Sequence, residues 1–290
     1  MFGVYDLPLF RPPSEAKSLI IQATIGCSHN KCTFCGMYKM KKFRIKSFEE
    51  IKSDIDFLKN FYGDVERVFI ADGNALCMDT EDLLRILRYL KRVFPSLKRV
   101  SIYATPMDIL DKSLDDLKAL RSEGLSLIYL GIESGDDQVL REVRKGATSD
   151  EIIKAGKKAI KAGMILSTTA ILGLGGKERS YEHAVGTARV LNEIKPHYTA
   201  FLTLIIVEKT PLHAKILRGE FKPLNQIELL EELKIIVEML NYKTVFRANH
   251  ASNYLPIKGD LPEDKERIIE LIEYAIRHPE ILRPDHVRGL

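Results

Sequence analysis

The chain is predicted to adopt an α/β fold built on a parallel sheet, and three observations carry that expectation. Apolar, β-branched runs alternate with amphipathic segments of helical period, six times in succession. No glycine-rich dinucleotide loop follows the first strand, which favours an incomplete barrel over an open doubly wound sheet. The residues best suited to chemistry stand just after the strands, the edge at which parallel α/β barrels gather function.

The elements follow in order. Residues 18–25 read as a first strand leading into a cysteine-rich loop. Ser47, with Glu50 three residues on, forms a capping box that opens a helix to about residue 62. A second strand over 65–71 precedes a helix over 80–93, for which Asp79 and Asp82 are the better capping pair. Residues 99–104, 125–132, 164–172 and 198–207 supply four more strands, separated by helices near 114–122, 136–144, 149–162 and 180–194. Parallel neighbours require right-handed crossovers. Beyond the sixth strand come Pro211, Pro223, a long helix over 224–241, a short strand over 244–248, a polar turn and a last helix over 262–277. No repeat, low-complexity segment or flexible linker interrupts the chain. Residues 14–210 are therefore expected to form the core, with 211–290 as an extension packed on it and a source of substrate-side elements.

The 290 residues are 45% apolar and 29% charged, the composition of a soluble globular protein with ample core. No apolar run reaches the roughly 18 to 20 residues that would span a bilayer, and residues 1–13 do not read as a secretory signal. Three of the four cysteines are clustered, which argues against a disulfide framework and for a reducing, cytoplasmic setting. A net charge of +4 is too small to imply nucleic acid. Residues 39–46 nevertheless carry five positive charges in eight residues. Such a run is an anion or RNA contact or, more commonly, a solvated loop.

The cysteines lie in Gly26-Cys27-Ser28-His29-Asn30-Lys31-Cys32-Thr33-Phe34-Cys35, a C-x4-C-x2-C pattern. Three thiolates this close can meet on one inorganic centre, and such centres usually take four ligands. The simplest reading is an iron–sulfur cluster with one iron open to a non-protein ligand. A zinc site would need a fourth ligand such as His29. Cys77, the remaining cysteine, is either a small buried hydrophobe or a thiol that faces a cavity and donates a hydrogen atom. Further polar candidates end the strands: Asp72-Gly73-Asn74, Thr105, Glu133-Ser134 and the turn over 173–176.

With these motifs in this order, residues 18–210 resemble the radical S-adenosylmethionine (radical SAM) superfamily. Its usual signature is C-x3-C-x2-C with an aromatic residue before the last cysteine, a place taken here by Phe34; the chain has one extra residue between Cys27 and Cys32. The resemblance implies a partial (β/α)6 barrel of TIM type with a C-terminal α/β extension. It further implies an oxygen-sensitive 4Fe–4S cluster on Cys27, Cys32 and Cys35. SAM would chelate the fourth iron and, on reduction, yield a 5′-deoxyadenosyl radical. Asp72-Gly73-Asn74 stands where the family has a Gly-Gly-Glu-like turn, so Asp72 and the Asn74 carbonyl would accept from the methionyl ammonium, with Gly73 permitting close approach.

The segment Leu130-Gly131-Ile132-Glu133-Ser134-Gly135 is similar to the fourth-strand motif of the methylthiotransferase, Elongator-type and cobalamin-dependent branches. There Glu133 or Ser134 would meet ribose hydroxyls or the methionyl end. Arg144, at the end of the next helix, is the candidate partner of the SAM carboxylate. The segment Ala170-Ile171-Leu172-Gly173-Leu174-Gly175 resembles the fifth-strand motif whose backbone flanks adenine, making Gly173 a contact. Asn249, His250 and Asn253 fall where the family places substrate-specific elements.

A second cysteine set for an auxiliary cluster, a cobalamin-binding domain and an appended RNA-binding domain are all missing from these residues. The expected activity is hydrogen abstraction from a small molecule, served by a ferredoxin- or flavodoxin-like electron donor and needing no membrane. The alternatives are an RNA-modifying radical SAM enzyme that uses the basic run, and an iron–sulfur or zinc protein without catalysis.

Overall fold

The computed structural model describes residues 3–288. The chain divides into two compact units. The first comprises Met1–Asn30, Met37–Leu130 and Lys158–Leu166; the second comprises Lys31–Gly36, Gly131–Lys157 and Ser167–Leu290.

The first unit holds β1 (Leu19–Gln22), β2 (Thr24–Ile25), β3 (Arg44–Ile45), α1 (Phe48–Tyr62), β4 (Arg67–Ala71), α2 (Thr80–Val93), β5 (Arg99–Ala104), α3 (Pro106–Asp111), α4 (Leu114–Ser122) and most of β6 (Leu125–Glu133). β4 pairs in parallel with β1 and β5, and β5 pairs with β6. The expected first strand is broken at Ala23. Its N–H donates to the Ala71 carbonyl and its own carbonyl accepts from Lys46 N–H, so β2 turns away to pair antiparallel with β3.

Phe69, Ala71, Leu127 and Tyr129 form a core cluster joined by Tyr103, Ile20 and Ile165. The Phe69 and Tyr103 rings meet edge to face at 5.0 Å. Deleting a fully buried ring such as Phe69 would cost about 3–5 kcal/mol. The Ser47/Glu50 capping box forms as the sequence predicts. Asp79 is the N-cap of α2 but makes no side-chain capping bond. α3, absent from the sequence-based expectation, is a six-residue helix begun by Pro106 and capped reciprocally by Thr105 and Asp108.

The second unit holds the end of β6, then α5 (Asp137–Glu142), most of α6 (Ser149–Lys161), β7 (Ile165–Leu172) apart from its first two residues, and α7 (Gly176–Ile194). It continues through β8 (Tyr198–Thr203), α8 (Pro211–Leu217), α9 (Gln226–Met239), β9 (Thr244–Ala248), β10 (Ile257–Leu261) and α10 (Lys265–Arg277). β7, β8 and β9 are parallel, and β10 returns antiparallel along β9. The residues after 210 therefore extend the sheet as well as adding helices.

β8 stops at Thr203, four residues before its expected end, because Ser252 Oγ accepts the Thr203 N–H and Asn253 takes its hydroxyl. α7 begins four residues earlier than expected, with a non-helical break at Arg179. Among the described residues no helix is long and apolar enough to cross a membrane.

Candidate functional site

In the first unit, Cys27 follows β2 and its sulfur accepts the Asn30 N–H at 3.4 Å. The turn after β4 lies directly against it. Gly73 donates its N–H to the Gly26 carbonyl, and a Cβ on Gly73 would stand 2.8 Å from Cys27 Cβ. Only a residue without a side chain allows this approach.

Asp72, joined to Ala71 by a cis peptide bond, is fully buried. Its Oδ2 accepts from Lys41 Nζ at 3.0 Å, Gln22 Nε2 at 3.2 Å and Gly26 N–H at 3.3 Å. Its Oδ1 has no hydrogen-bond partner. The buried Tyr38 hydroxyl nearby is likewise unpartnered, and burial together with the Asp72 carboxylate lifts its pKa above the usual tyrosine range.

The Asn74 side chain clamps the residue after Cys27. Its Oδ1 accepts the Ser28 N–H at 2.9 Å and its Nδ2 donates to Ser28 Oγ at 2.7 Å. Asp108 orients that amide, accepting from Nδ2 at 3.0 and 3.1 Å, and burial holds its own pKa up. The Asn74 carbonyl accepts from Cys77 N–H. Burial, aided by the Asp108 charge, pushes the Cys77 thiol up to about 12.

In the second unit, Cys32 and Cys35 flank a tightly held segment. Thr33 donates its N–H to the Val143 carbonyl and accepts at its own carbonyl from Leu212 N–H. Phe34 packs with Val139, Val143, Leu174, Ile171 and Leu204. A Cβ on Gly36 would meet Val207 Cγ1 at 2.6 Å.

The end of β6 is unusual: Glu133 has φ +60°, a left-handed conformation that non-glycine residues seldom adopt. Its carboxylate pairs with Lys145 at 2.8 Å, and both side chains are largely buried. Gly135 packs backbone to backbone on Gly186 of α7, where a Cβ would lie 2.0 Å from the Gly186 carbonyl oxygen. Arg144, also left-handed at φ +55°, is exposed. The Gly173 turn has φ +81° and donates its N–H to Glu232 Oε1 at 2.7 Å.

Of the polar turn, Asn249 is exposed and His250 is half-buried, with burial lowering its pKa. Asn253 is committed to β8 through the Phe201 carbonyl and the Thr203 hydroxyl. Sequence reasoning missed Ser28, Lys41, Asp108, Lys145, His183 and Glu232. Only Asp108 left a local signal, as the fourth residue of a Thr105-to-Asp108 capping box.

Among the described residues no three His, Cys, Asp or Glu side chains stand gathered around a metal position. The convergence of Cys27, Cys32 and Cys35 therefore rests on their motif rather than on a measured distance. The cysteines of both units fit a cluster, and the Gly73 turn and Asp72 of the first unit fit a cationic amino-acid ligand. All three cysteines are free of disulfides and half-exposed. A glycine cradle abuts Cys27, and a buried carboxylate oxygen of Asp72 lacks a donor.

A mostly parallel α/β chain with a thiol loop after its first strands offers a candidate iron–sulfur site. The chain belongs to the radical SAM superfamily, whose model matches residues 21–189, more than half of its length. Its cofactors are accordingly a 4Fe–4S cluster and SAM. An uncharacterized protein of Methanocaldococcus jannaschii is 24% identical over 255 residues, 83% of this chain and 76% of the relative.

Among solved structures, methylornithine synthase matches with a TM-score of 0.54 at 18% identity, over 78% of this chain and 63% of that one. Coproporphyrinogen III oxidase from Escherichia coli matches with a TM-score of 0.58 at 19% identity, over 76% and 52%. The chain thus spans between half and two-thirds of these two enzymes. The likeness shows the fold, the superfamily's α/β partial TIM-type barrel.

Proposed function

We propose that this radical SAM enzyme abstracts hydrogen from a small-molecule substrate, with Cys27, Cys32 and Cys35 holding the cluster. The cluster and SAM, when bound, supply a 5′-deoxyadenosyl radical. The chain's own residues bind, orient and exclude water.

Cys27, Cys32 and Cys35 would hold the cluster through three thiolates. Asp72, through its unpartnered Oδ1, and the Asn74 carbonyl take the methionyl ammonium; the Gly73 backbone allows it close. Arg144 takes the carboxylate, Glu133 or Ser134 the ribose or methionyl end, and the Gly173 backbone flanks adenine. Asn249 and His250 face substrate while Asn253 holds their turn to β8, and Cys77 returns a hydrogen atom to the substrate radical, its thiyl being restored by an electron from the donor and a proton. Its thiol stays protonated at neutral pH, which suits a hydrogen donor better than a nucleophile. A small ferredoxin- or flavodoxin-like donor in a reducing compartment supplies the electron.

One observation favours a small molecule over RNA. The basic run is partly turned inward: Lys41 and Lys46 are each 8% exposed and ion-paired to Asp72 and Asp54, while Lys39, Lys42 and Arg44 are exposed. Arg44 pairs with Glu50, and Lys39 donates to the Asn30 carbonyl. A surface that tracks phosphates needs cations that remain available to it.

The test uses anaerobically reconstituted enzyme with SAM, dithionite and a cell extract split by dialysis. Stimulation of 5′-deoxyadenosine formation by the dialysable fraction, unaffected by ribonuclease, is expected. Stimulation confined to the retained fraction and abolished by ribonuclease would replace this reading with RNA modification.

A further inference from the structure

We infer that His183 and Glu232 are positioning residues of the SAM site, tying the turn after β6 to the turn after β7 through a buried Ser–His–Glu line. The inference rests on the reading that Ser134 and Gly173 contact SAM.

The line lies wholly within the second unit. Ser134 Oγ stands 2.7 Å from His183 Nδ1 and accepts the Asp136 N–H at 3.0 Å. His183, on α7, is fully buried, and its Nε2 lies 3.6 Å from Glu232 Oε1 without a hydrogen bond of its own. Glu232, on α9 and 1% exposed, accepts the Gly173 N–H on that same oxygen, and the Ser180 hydroxyl at 2.6 Å on the other.

Geometry gives the line its order. An imidazole nitrogen facing a carboxylate favours an N–H over a lone pair there. Nε2 is so placed toward Glu232, and Nδ1 shares a hydrogen bond with the Ser134 hydroxyl. One rotor is thereby set at the β6 turn, while the same carboxylate holds the Gly173 N–H at the β7 turn.

Neither turn is held by its strand alone. Gly135 N–H bonds Thr187 Oγ1 at 3.0 Å, and the Gly173 turn is left-handed. Buried polar lines of this kind add little stability over well-packed apolar side chains, and their use lies in fixing geometry. Glu232 comes from the residues beyond 210, so the C-terminal part of the chain completes a SAM-binding turn as well as facing substrate.

The test measures SAM affinity by equilibrium dialysis on the reconstituted full chain, with iron content on the same samples. Glu232→Leu is expected to weaken SAM about tenfold at unchanged iron content, raising KM for SAM more than it lowers kcat. Glu232→Gln, which keeps an acceptor for the Gly173 N–H, should recover most of the loss. His183→Gln, a milder change should the leucine variant fold poorly, should weaken SAM several-fold.

Wild-type SAM affinity in Glu232→Leu or His183→Gln, alongside weakened binding in Ser134→Ala, would overturn the inference while leaving the SAM site in place. Unchanged affinity in both Ser134→Ala and Gly173→Ala would overturn the site reading and the inference with it. Iron lost in step with SAM binding would mark a packing defect and also overturn it.

Discussion

Gly73→Ala presses a side chain directly onto the first cysteine of the thiol loop. The added Cβ would lie 2.8 Å from Cys27 Cβ, 3.0 Å from Cys27 Cα and 3.0 Å from the Gly26 carbonyl oxygen. Ordinary van der Waals contact begins near 3.4 Å, so the turn and the cysteine must part by about 0.6 Å. Two of the three atoms are backbone, and no flexible side-chain end can give way.

The turn is also tied from both sides, by the Gly73 N–H to the Gly26 carbonyl and by the Asn74 amide to Ser28. Displacement therefore falls on Cys27, whereas metal–thiolate distances tolerate only about 0.2 Å. Overpacking of this size costs about 1–3 kcal/mol, or roughly 5- to 150-fold in cluster affinity. The assay is iron and sulfide content after anaerobic reconstitution, followed by the rate of chelator-driven bleaching. Gly3→Ala, with nothing within 4 Å of its Cβ, serves as the control. Wild-type iron content and bleaching rate in Gly73→Ala would refute the placement of this turn against a cluster ligand.

Other outcomes follow from the same geometry. Asn74→Ala strands the Ser28 N–H and one side of the Asp108 carboxylate, a loss of about 1–3 kcal/mol that should lower the melting temperature of the apoprotein by several degrees in calorimetry. At pH 8 the Cys77 thiolate fraction is only about one in ten thousand, so iodoacetamide should modify Cys27, Cys32 and Cys35 of the apoprotein well before Cys77 under mass-spectrometric readout. Because its folded pKa is raised, Cys77 favours the fold below the unfolded thiol pKa. That contribution should fade between about pH 9 and 12, and Cys77→Ala should remove this part of the alkaline loss. His250 has a lowered folded pKa, so its contribution is present above about pH 6.5 and lost as pH falls. An NMR titration should place its midpoint below 6.5, and His250→Gln should flatten that part of the acid limb.

The alternation of strands and helices was legible because each depends on the period of its own residues. The Ser47/Glu50 box and β9 fall where the local pattern puts them. What the local pattern could not carry is what other parts of the chain decide. β10, with Lys258, Gly259 and Asp260 between two buried apolar ends, becomes a strand only by its register with β9.

Lys41 reads as one more cation in a basic run, and nothing nearby announces that its partner is Asp72, 31 residues on. His183 and Glu232 sit in unremarkable helical patterns, 49 residues apart. The close approach of Gly135 to Gly186 is likewise tertiary. The thiol motif was the clearest signal of all, because cluster chemistry imposes residue type and spacing within a few positions.

The central claim is that three cysteines hold a cluster whose open iron is served by SAM. Anaerobic reconstitution of the wild-type chain, followed by dithionite reduction in the presence of SAM, tests it most directly. About four irons per chain and formation of 5′-deoxyadenosine are expected, with both lost in Cys27→Ala, Cys32→Ala and Cys35→Ala and the irons kept in Cys77→Ala. One tightly bound zinc with no 5′-deoxyadenosine, or a cluster that needs Cys77, would contradict it.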